Sequence, residues 1–306
     1  MAIAAAVTIA AVALSSAAQN GRRAEGDARS EVRLWLGGDV NLGDGDAKNI
    51  FEPLAEMVKG AAGIVNLEGP VAAKAPTGPG LKLFNAPEVL RELKDAGVRV
   101  AEIANNHARD AGADAPEKTA EALGGAGLLA AGGPAGAAVL QEGGWRIVVA
   151  AYDLTGGVPK DFAESLGAAK KTGDVLLVSF HVTGPASYLP RPELRRAVEI
   201  ARHSGARIIT AHGTHVIGPV ERRGETVIAW GLGNLAFACD CTKEREGLLL
   251  RVTIAADGSL RAAVIPIDAG LQGKAATLSR DPGGVFNLLA AIGSNNLERH
   301  GAEAKF

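Results

Sequence analysis

The chain has little cysteine, few aromatic residues and almost no excess of charge. Cys239 and Cys241 are the two cysteines among 306 residues, so no disulfide framework is expected, and a core of this size needs none. They are either a pair on one strand face that can meet a metal, or two small loop residues. Aromatic residues make up 4% of the chain, and the formal net charge is −2. Nucleic acid is therefore not an expected partner, because the chain offers no basic field.

The chain begins with a weakly hydrophobic segment. Residues 1–18 are rich in alanine, valine, isoleucine and leucine and end in small residues, which is typical of a secretory signal. An uncleaved membrane anchor is the alternative, although no lysine or arginine precedes Arg22. Residues 19–31 are polar and predict a tether. We therefore expect an exported or membrane-anchored protein.

The pattern of residues 32–290 predicts one α/β domain. Unbroken apolar runs indicate buried strands at 32–36, 63–67, 98–104, 145–152, 174–180 and 206–211. Helices with proline in the first turn and glycine after the last turn are predicted at 87–97, 116–127 and 192–205. This alternation predicts a mostly parallel sheet. After residue 220, two strand-like runs flank Asp257-Gly258 and predict an antiparallel hairpin. Residues 291–306 predict a frayed polar tail.

Side chains that can bind a metal gather at the ends of the predicted strands. Ligands of parallel sheets bind just beyond the carboxyl ends of the strands. The residues at these ends are Asp39, Asn41, Glu68, Asn105, Asn106, His107, His181, His212 and His215. Any one of them alone is more often an ordinary turn or loop residue. Together they predict a site at one edge of the sheet.

The chemistry of this set indicates a borderline divalent cation. Carboxylate oxygens, neutral imidazole nitrogens and an amide oxygen suit Zn, Mn or Fe, whereas Mg and Ca sites contain few histidines. Asn234, in the glycine-rich segment GLGN, lies where the backbone can approach a ligand closely. Glu102 either faces the site or pairs with a helix lysine. Asp153, His203 and His300 are expected to lie outside the site.

The motifs of the chain resemble those of a known family. They are GGDVNLGDG, NLEGPV, KLFNAPEVLRELKDAGVRVAEIANNHARDAG, SFHVTG, and AHGTHVIGPVE followed by AWGLGNLAF. In this order, over about residues 33–240, they resemble the CapA family of bacterial capsule (poly-γ-glutamate) biosynthesis proteins, which are similar to calcineurin-like metallophosphoesterases. The resemblance implies a four-layer α/β/β/α sandwich of two mixed sheets with a metal site at one end of the sheets.

The resemblance also implies roles for individual residues. Asp39 and Glu68 would be carboxylate ligands of the metal, with Glu68 the bridge between two ions. Asn105 would be an amide ligand and His181 an imidazole ligand. His107 would lie beside the metal as a general acid or as an electrostatic stabiliser of the substrate.

Two positions depart from the pattern and bear on the number of ions. The last motif of the family commonly reads His-Pro-His, whereas this chain has Gly213, Thr214 and His215. His215 would still be a ligand, and His212 is a candidate replacement for the missing imidazole. Asn41 stands where the phosphoesterases have a histidine. The implied cofactor is therefore one or two ions of Mn, Zn or Fe.

The implied function is a metal-dependent hydrolase-like step in capsule biosynthesis, on the extracytoplasmic face of a bacterial cell. The bond attacked would be a phosphoester or a γ-glutamyl amide of an anionic surface polymer. The alternative is a non-catalytic exported subunit that assists a membrane synthase, which Val182 and Thr183 favour because the family commonly has a tryptophan-glycine pair there. Two basic stretches, at 191–196 and 221–223, either bind the polymer or are solvated faces.

Overall fold

A computed structural model describes residues 29–44 and 48–306 of the chain. Its strands are β1 Val32–Asn41, β2 Ala62–Leu67, β3 Val98–Glu102, β4 Leu129–Ala131, β5 Ala138–Glu142, β6 Trp145–Asp153, β7 Val175–His181, β8 Ala206–His212, β9 Val220–Arg223, β10 Thr226–Ala229, β11 Asn234–Phe237, β12 Glu246–Ile254, β13 Leu260–Asp268, β14 Gly270–Leu271, β15 Thr277–Leu278, β16 Glu298–His300 and β17 Glu303–Lys305. Its helices are α1 Ala55–Val58, α2 Val89–Asp95, α3 Ala115–Gly125, α4 Phe162–Lys171, α5 Pro192–His203 and α6 Pro282–Ala291. The six predicted strands and three predicted helices are confirmed.

The strands form two mixed sheets. The large sheet has the order β16-β17-β13-β12-β1-β2-β3-β4, with β11, β14 and β15 paired off this path. The small sheet has the order β5-β6-β7-β8-β10-β9. The centre of each sheet is parallel, β1 with β2 and β3 in one and β6 with β7 and β8 in the other. The predicted hairpin is the antiparallel pair of β12 and β13.

The cores follow from the alternation of side chains along the strands. Leu36 and Ile64 of the large sheet belong to one buried cluster with Leu177 and Ile208 of the small sheet, so the two sheets pack against each other. The next residues along the strands point the other way. A second cluster joins the large sheet to α2 and α3, and a third joins the small sheet to α4 and α5. The parallel strands of both sheets are thus buried on two faces, as unbroken apolar runs predict.

Two expectations from the sequence are wrong. The tail is not frayed, because β16 and β17 form a hairpin and β17 pairs with β13 in the large sheet. Cys239 and Cys241 are neither a metal-binding pair nor plain loop residues, since they are joined as a disulfide in the connection between β11 and β12.

The predicted signal or anchor and most of the predicted tether lie outside the described residues. Within residues 29–44 and 48–306, no helix is both long enough and apolar enough to cross a membrane.

One steric requirement aligns the strands that carry the site. Trp35 of β1 pairs in register with Gly63 of β2, and the Trp35 ring lies over the glycine. A Cβ atom at Gly63 would come within 2.4 Å of the Trp35 ring, whose side chain is buried. Glycine is therefore needed at position 63 so that β1 and β2 can pair beneath a tryptophan.

We expect the substitution Gly63→Ala to lower the free energy of unfolding by about 1–3 kcal/mol, because overpacking of a core forces its neighbours to move. Chemical denaturation measures this change. The matched control is Gly124→Ala in α3, where a Cβ meets nothing within 4 Å. The control should be neutral or stabilising by up to about 1 kcal/mol. Equal stability of the two variants would contradict the steric argument.

Candidate metal centre

Asp39 lies at the centre of the site and is fully buried. The pairing of β1 with β2 and β11 is irregular at this residue, and such bulges re-aim side chains. Its carboxylate accepts hydrogen bonds from Asn66 Nδ2 at 2.8 Å and from the Gly213 N–H at 3.1 Å. His215 Nδ1 lies 3.3 Å from it, whereas His212 Nδ1, at 3.6 Å, is too distant for a hydrogen bond. Both sheets therefore contribute partners to this one carboxylate.

Glu68 follows β2 and is also buried. Its Oε2 has no hydrogen-bond partner among the described residues, and its Oε1 lies 3.9 Å from His215 Nε2. An unpartnered buried acceptor costs about 1–3 kcal/mol, and more when it carries charge. A cation beside Oε2 would remove this cost.

His181 is the last residue of β7, and its ring is fixed by two amides. Its Nε2 lies 2.7 Å from Asn106 Oδ1, and its Nδ1 lies 3.5 Å from Asn66 Nδ2. When Nε2 carries the proton and donates it to Asn106, Nδ1 is an acceptor that faces the Asn66 amide, and a metal bound at Nδ1 would replace that weak contact. Ligand atoms of Asp39, Glu68 and His181 all lie within 4.8 Å of one another. These three side chains are the ones best placed to hold a cation.

The two carboxyl groups have opposite pKa shifts. Burial disfavours the charged form of Asp39, but the imidazoles of His212 and His215 overcome that effect and hold its pKa well below the ordinary value. Burial and the negative charge of Asp39 raise the pKa of Glu68 to about 8. At neutral pH Asp39 is therefore ionised and Glu68 is protonated, as expected where two carboxyl groups share a buried site.

The pKa values of the three histidines are also shifted in opposite directions. Burial lowers the pKa of His181 to about 4, so its ring is neutral and suited to metal binding. Burial opposes charge on His212 and His215 as well, but neighbouring carboxylates raise their pKa values to about 10 and about 9. Protons on Glu68, His212 and His215 thus supply positive charge that a divalent cation can replace.

A buried polar chain links the two sheets behind the site. Ser179 Oγ of β7 donates a hydrogen bond of 2.7 Å to Glu102 Oε2 of β3. The same carboxylate oxygen lies 3.2 Å from His212 Nε2, at the end of β8. Of the two alternatives for Glu102, the one that faces the site is therefore confirmed. His212 is held by Glu102 on one side, and its Nδ1, on the side of Asp39, has no hydrogen-bond partner among the described residues.

The segment from Asn105 to His107 serves three different purposes. Asn105 Nδ2 donates to the Leu67 carbonyl at 2.9 Å, and its Oδ1 accepts from the Gly69 N–H at 3.3 Å. Asn105 thus fixes the chain on either side of Glu68, and its role as a metal ligand stays a prediction. Asn106 orients His181, as described above. His107 Nδ1 lies 2.7 Å from Asp110 Oδ2 and is held by that carboxylate.

Asn41 and Asn234 have structural partners in this arrangement. Asn41 Nδ2 donates to the carbonyls of Glu68 and Phe84 at 3.0 and 2.8 Å, which fastens two loops of the site together. Asn234 Oδ1 lies 2.9 Å from His215 Nδ1. His215 has a φ of 59°, in the left-handed region that non-glycine residues rarely adopt. Asn234 therefore supports an imidazole held on an unfavourable backbone.

Gly213 is required by the packing of the site. Its φ is 86°, and a Cβ there would lie 2.6 Å from the ring of His181 and 2.7 Å from the Val182 carbonyl. The ring of His181 thus fills the space that a side chain at position 213 would need.

Three residues of the site were not predicted from the sequence. Asn66, Ser179 and Asp110 contact Asp39, Glu102 and His107 respectively. The sequence could have indicated Asn66 and Ser179. Each is a polar residue two places before a site residue at the end of its strand, and side chains two places apart along a strand point to the same face.

Of the three residues expected outside the site, His203 and His300 lie outside it, whereas Asp153 borders it. Asp153 pairs with His181 in the small sheet, and its charge opposes the lowering of the pKa of that imidazole by burial. Its own carboxylate accepts a hydrogen bond from the Thr155 N–H at 2.9 Å, as a turn former does. The side chain of His203 is 70% exposed on α5, and His300 is exposed in β16.

The part of the chain that carries the site matches a known family. The family model described as "Bacterial capsule synthesis protein PGA_cap" matches residues 33–239. This range begins two residues after the predicted tether and contains every candidate site residue.

Two curated proteins and one solved structure are similar to the chain. It is 28% identical over 203 residues to "PGA biosynthesis protein CapA" of Bacillus subtilis (strain 168), covering 59% of this chain and 53% of that protein. It is 23% identical over 206 residues to "Capsule biosynthesis protein CapA" of Bacillus anthracis, covering 59% and 50%. The chain thus spans about half the length of these relatives. A hypothetical protein from Thermus thermophilus shares the fold, with a TM-score of 0.52, 15% identity and coverage of 77% and 99%.

We expect divalent cations to bind with release of protons and to bind more weakly as the pH falls. Because the pKa of Glu68 is about 8, a cation must displace its proton below that pH. Affinity for Mn²⁺ should then fall by up to about tenfold per pH unit between pH 8 and pH 6. Calorimetric titration in two buffers of different ionisation enthalpy measures both effects.

Glu68→Gln should bind Mn²⁺ weakly at every pH. The control is Glu117→Gln, at an exposed position of α3, which should behave as the unaltered chain does. Binding without proton release, or equal losses in both variants, would refute the assignment of Glu68.

Proposed function

Because the chain belongs to the bacterial capsule synthesis protein PGA_cap family, we propose that it acts in capsule biosynthesis of the poly-γ-glutamate type through a metal-dependent, hydrolase-like site. The observation that carries the proposal is the cluster of Asp39, Glu68 and His181, with ligand atoms within 4.8 Å of one another. The four-layer arrangement of the metallophosphoesterases is part of this proposal. It is supported by the two packed sheets with helices against both.

The residues present fit a divalent cation. Glu68 Oε2 is buried without a partner among the described residues, His181 is neutral, and Asp39 is ionised. Mn, Zn or Fe suits this set of oxygen and nitrogen donors. When bound, such a cation supplies Lewis-acid polarisation of a substrate oxygen and acidifies water. His215 lies near both carboxylates and would be a further ligand after losing its proton.

His107 is the residue we assign to proton transfer. Its Nδ1 is held by Asp110, which also accepts a hydrogen bond from the Leu83 N–H at 2.7 Å. Nε2 then accepts a proton in the neutral ring, and only the doubly protonated ring can donate one from Nε2 to a leaving oxygen or nitrogen. Burial is the main cause of the raised pKa of Glu68, and the charge of Asp110 adds to it. The His107–Asp110 pair is therefore within electrostatic reach of Glu68.

The substrate we propose is a phosphoester or a γ-glutamyl amide bond of an anionic surface polymer. Support comes from the family and from the names of the curated relatives, which concern capsule and PGA biosynthesis. A place on the extracytoplasmic face, by export or by an anchor at residues 1–18, would bring the site to such a polymer. Partner subunits of a membrane synthase would belong to the same setting.

The second candidate is a non-catalytic accessory subunit that binds a single cation. It is favoured by one observation on the residues that would hold a second ion, which is that Gly213 offers no side-chain ligand. In that case the site would organise the loops that bind a partner or a polymer.

Turnover by the purified chain with Mn²⁺ distinguishes the two candidates. The substrates are a chromogenic phosphodiester and poly-γ-glutamate, followed by colour and by polymer length. We expect hydrolysis of at least one, and a loss of about 10²- to 10⁴-fold in kcat for His107→Gln, the contribution usual for a positioned acid.

The control variant is His300→Gln, because His300 is exposed in β16. It should retain full activity. Hydrolysis that survives His107→Gln would remove the proposed acid, and no hydrolysis of either substrate would establish the accessory subunit.

A further inference from the structure

A basic cavity lies at the end of the large sheet opposite the metal centre. Its volume is about 650 Å³. The cationic side chains that line it are Arg33, Lys59, Arg222, Arg251, Arg261 and Lys305. Arg33 is near the start of β1 and Asp39 near its end, so at about 3.3 Å per residue the cavity is about 20 Å from the metal centre.

Strand register explains why four of these cations, Arg33, Arg251, Arg261 and Lys305, share one face of the large sheet. Arg33 of β1 pairs with Thr253 of β12, which pairs with Arg261 of β13. In the next row on the same face, Arg251 of β12 pairs with Ala263 of β13, which pairs with Lys305 of β17. Four adjacent strands thus present cations on the same face, the one that carries Trp35 and is covered elsewhere by helices.

Carboxylates neutralise only part of this charge. Arg251 pairs with Glu303, Arg261 pairs with Glu31 at 2.5 Å, and Lys59 pairs with Glu56 at 3.3 Å. Glu298 is the second carboxylate that lines the cavity.

Two cations remain without a carboxylate partner among the described residues, Arg33 and Lys305. Arg222 Nη2 donates to the Leu260 carbonyl at 3.2 Å and to the terminal oxygen of Phe306 at 3.5 Å. The whole chain carries a net charge of −2, so this excess of positive charge is local. Like charges that lie close together repel one another, and an anion bound among them would lower the free energy of this repulsion.

The shape and spacing of the cations favour an extended anion with several charges. Four of the cations come from adjacent strands about 4.8 Å apart, so they form a row and not a single-anion pocket. Guanidinium groups bind carboxylates with two parallel hydrogen bonds. A polymer with regularly repeated carboxylates would engage several of them at once.

We propose that this cavity binds a segment of a polycarboxylate chain, at a place separate from the metal centre. The inference rests on the proposed function for the identity of the polymer, which is of the poly-γ-glutamate type. The cavity holds the polymer while the metal centre acts elsewhere on it. Of the two basic stretches in the sequence, the one at 221–223 contributes Arg222 to this cavity.

Binding of fluorescent poly-γ-glutamate to the full chain at low ionic strength tests the proposal. The cavity variant carries Arg33→Gln, Arg222→Gln and Lys305→Gln. We expect its dissociation constant to rise at least about tenfold, because hydrogen bonds to charged groups are lost.

The matched control carries Lys160→Gln, Lys171→Gln and Arg196→Gln, which remove the same charge from exposed positions outside the cavity. Its dissociation constant should change less than about twofold, as for other solvated charges. Equal weakening in both triple variants, or none in the cavity variant, would overturn the proposal.

Two further arms separate this inference from its rivals. The dissociation constant for the polymer should be the same with saturating Mn²⁺ as without added metal, and binding that requires Mn²⁺ would place the polymer at the metal centre instead. Vesicles of phosphatidylglycerol test a membrane as the ligand: if only vesicle binding depends on the cavity cations, the polymer proposal is wrong.

Phosphodiester turnover should be the same in the cavity variant and the unaltered chain. Polymer binding without any turnover would refute the hydrolase and leave this inference standing.

Discussion

The site depends on two carboxyl groups buried side by side between the sheets. Asp39 keeps its charge because amide, backbone and imidazole groups surround it. Glu68 has no such shell, and burial beside Asp39 raises its pKa to about 8. A protein interior tolerates such a pair only when protons or a cation balance it. The neutral His181 beside them is suited to a cation as that balance, because a neutral imidazole can bind a metal and contributes no charge.

The two sheets together supply the groups that surround the two buried carboxyl groups. The large sheet supplies both carboxylates, and the small sheet supplies His181 and His212 from neighbouring strands in register. The contact between Glu102 and His212 ties the sheets together behind the site, at 3.2 Å. Loops fastened by asparagine side chains then close the site from the other side. Rigid strands thus hold the ligands, and amides set the directions in which they point.

Much of the fold and part of the site could be predicted from the sequence. Apolar runs indicated the parallel strands, and the polar residues that end them indicated His181 and His212, because chain direction alone places those ends together. The role of Asn106 could not be predicted, since it depends on contact with a residue 75 positions away. The basic cavity was missed for the same reason: Arg33, Arg222 and Lys305 lie far apart in the sequence, and strand pairing together with the packing of the two sheets brings them together.

The most direct test of the account is a crystal structure of the chain soaked with Mn²⁺, with anomalous diffraction to locate the ion. We expect one strong peak about 2.0–2.3 Å from oxygen atoms of Asp39 and Glu68 and from Nδ1 of His181. The peak should be absent in crystals of His181→Ala and present in those of His203→Ala. A peak bound elsewhere, or no peak at saturating Mn²⁺, would contradict the claim that these buried carboxylates form a metal centre.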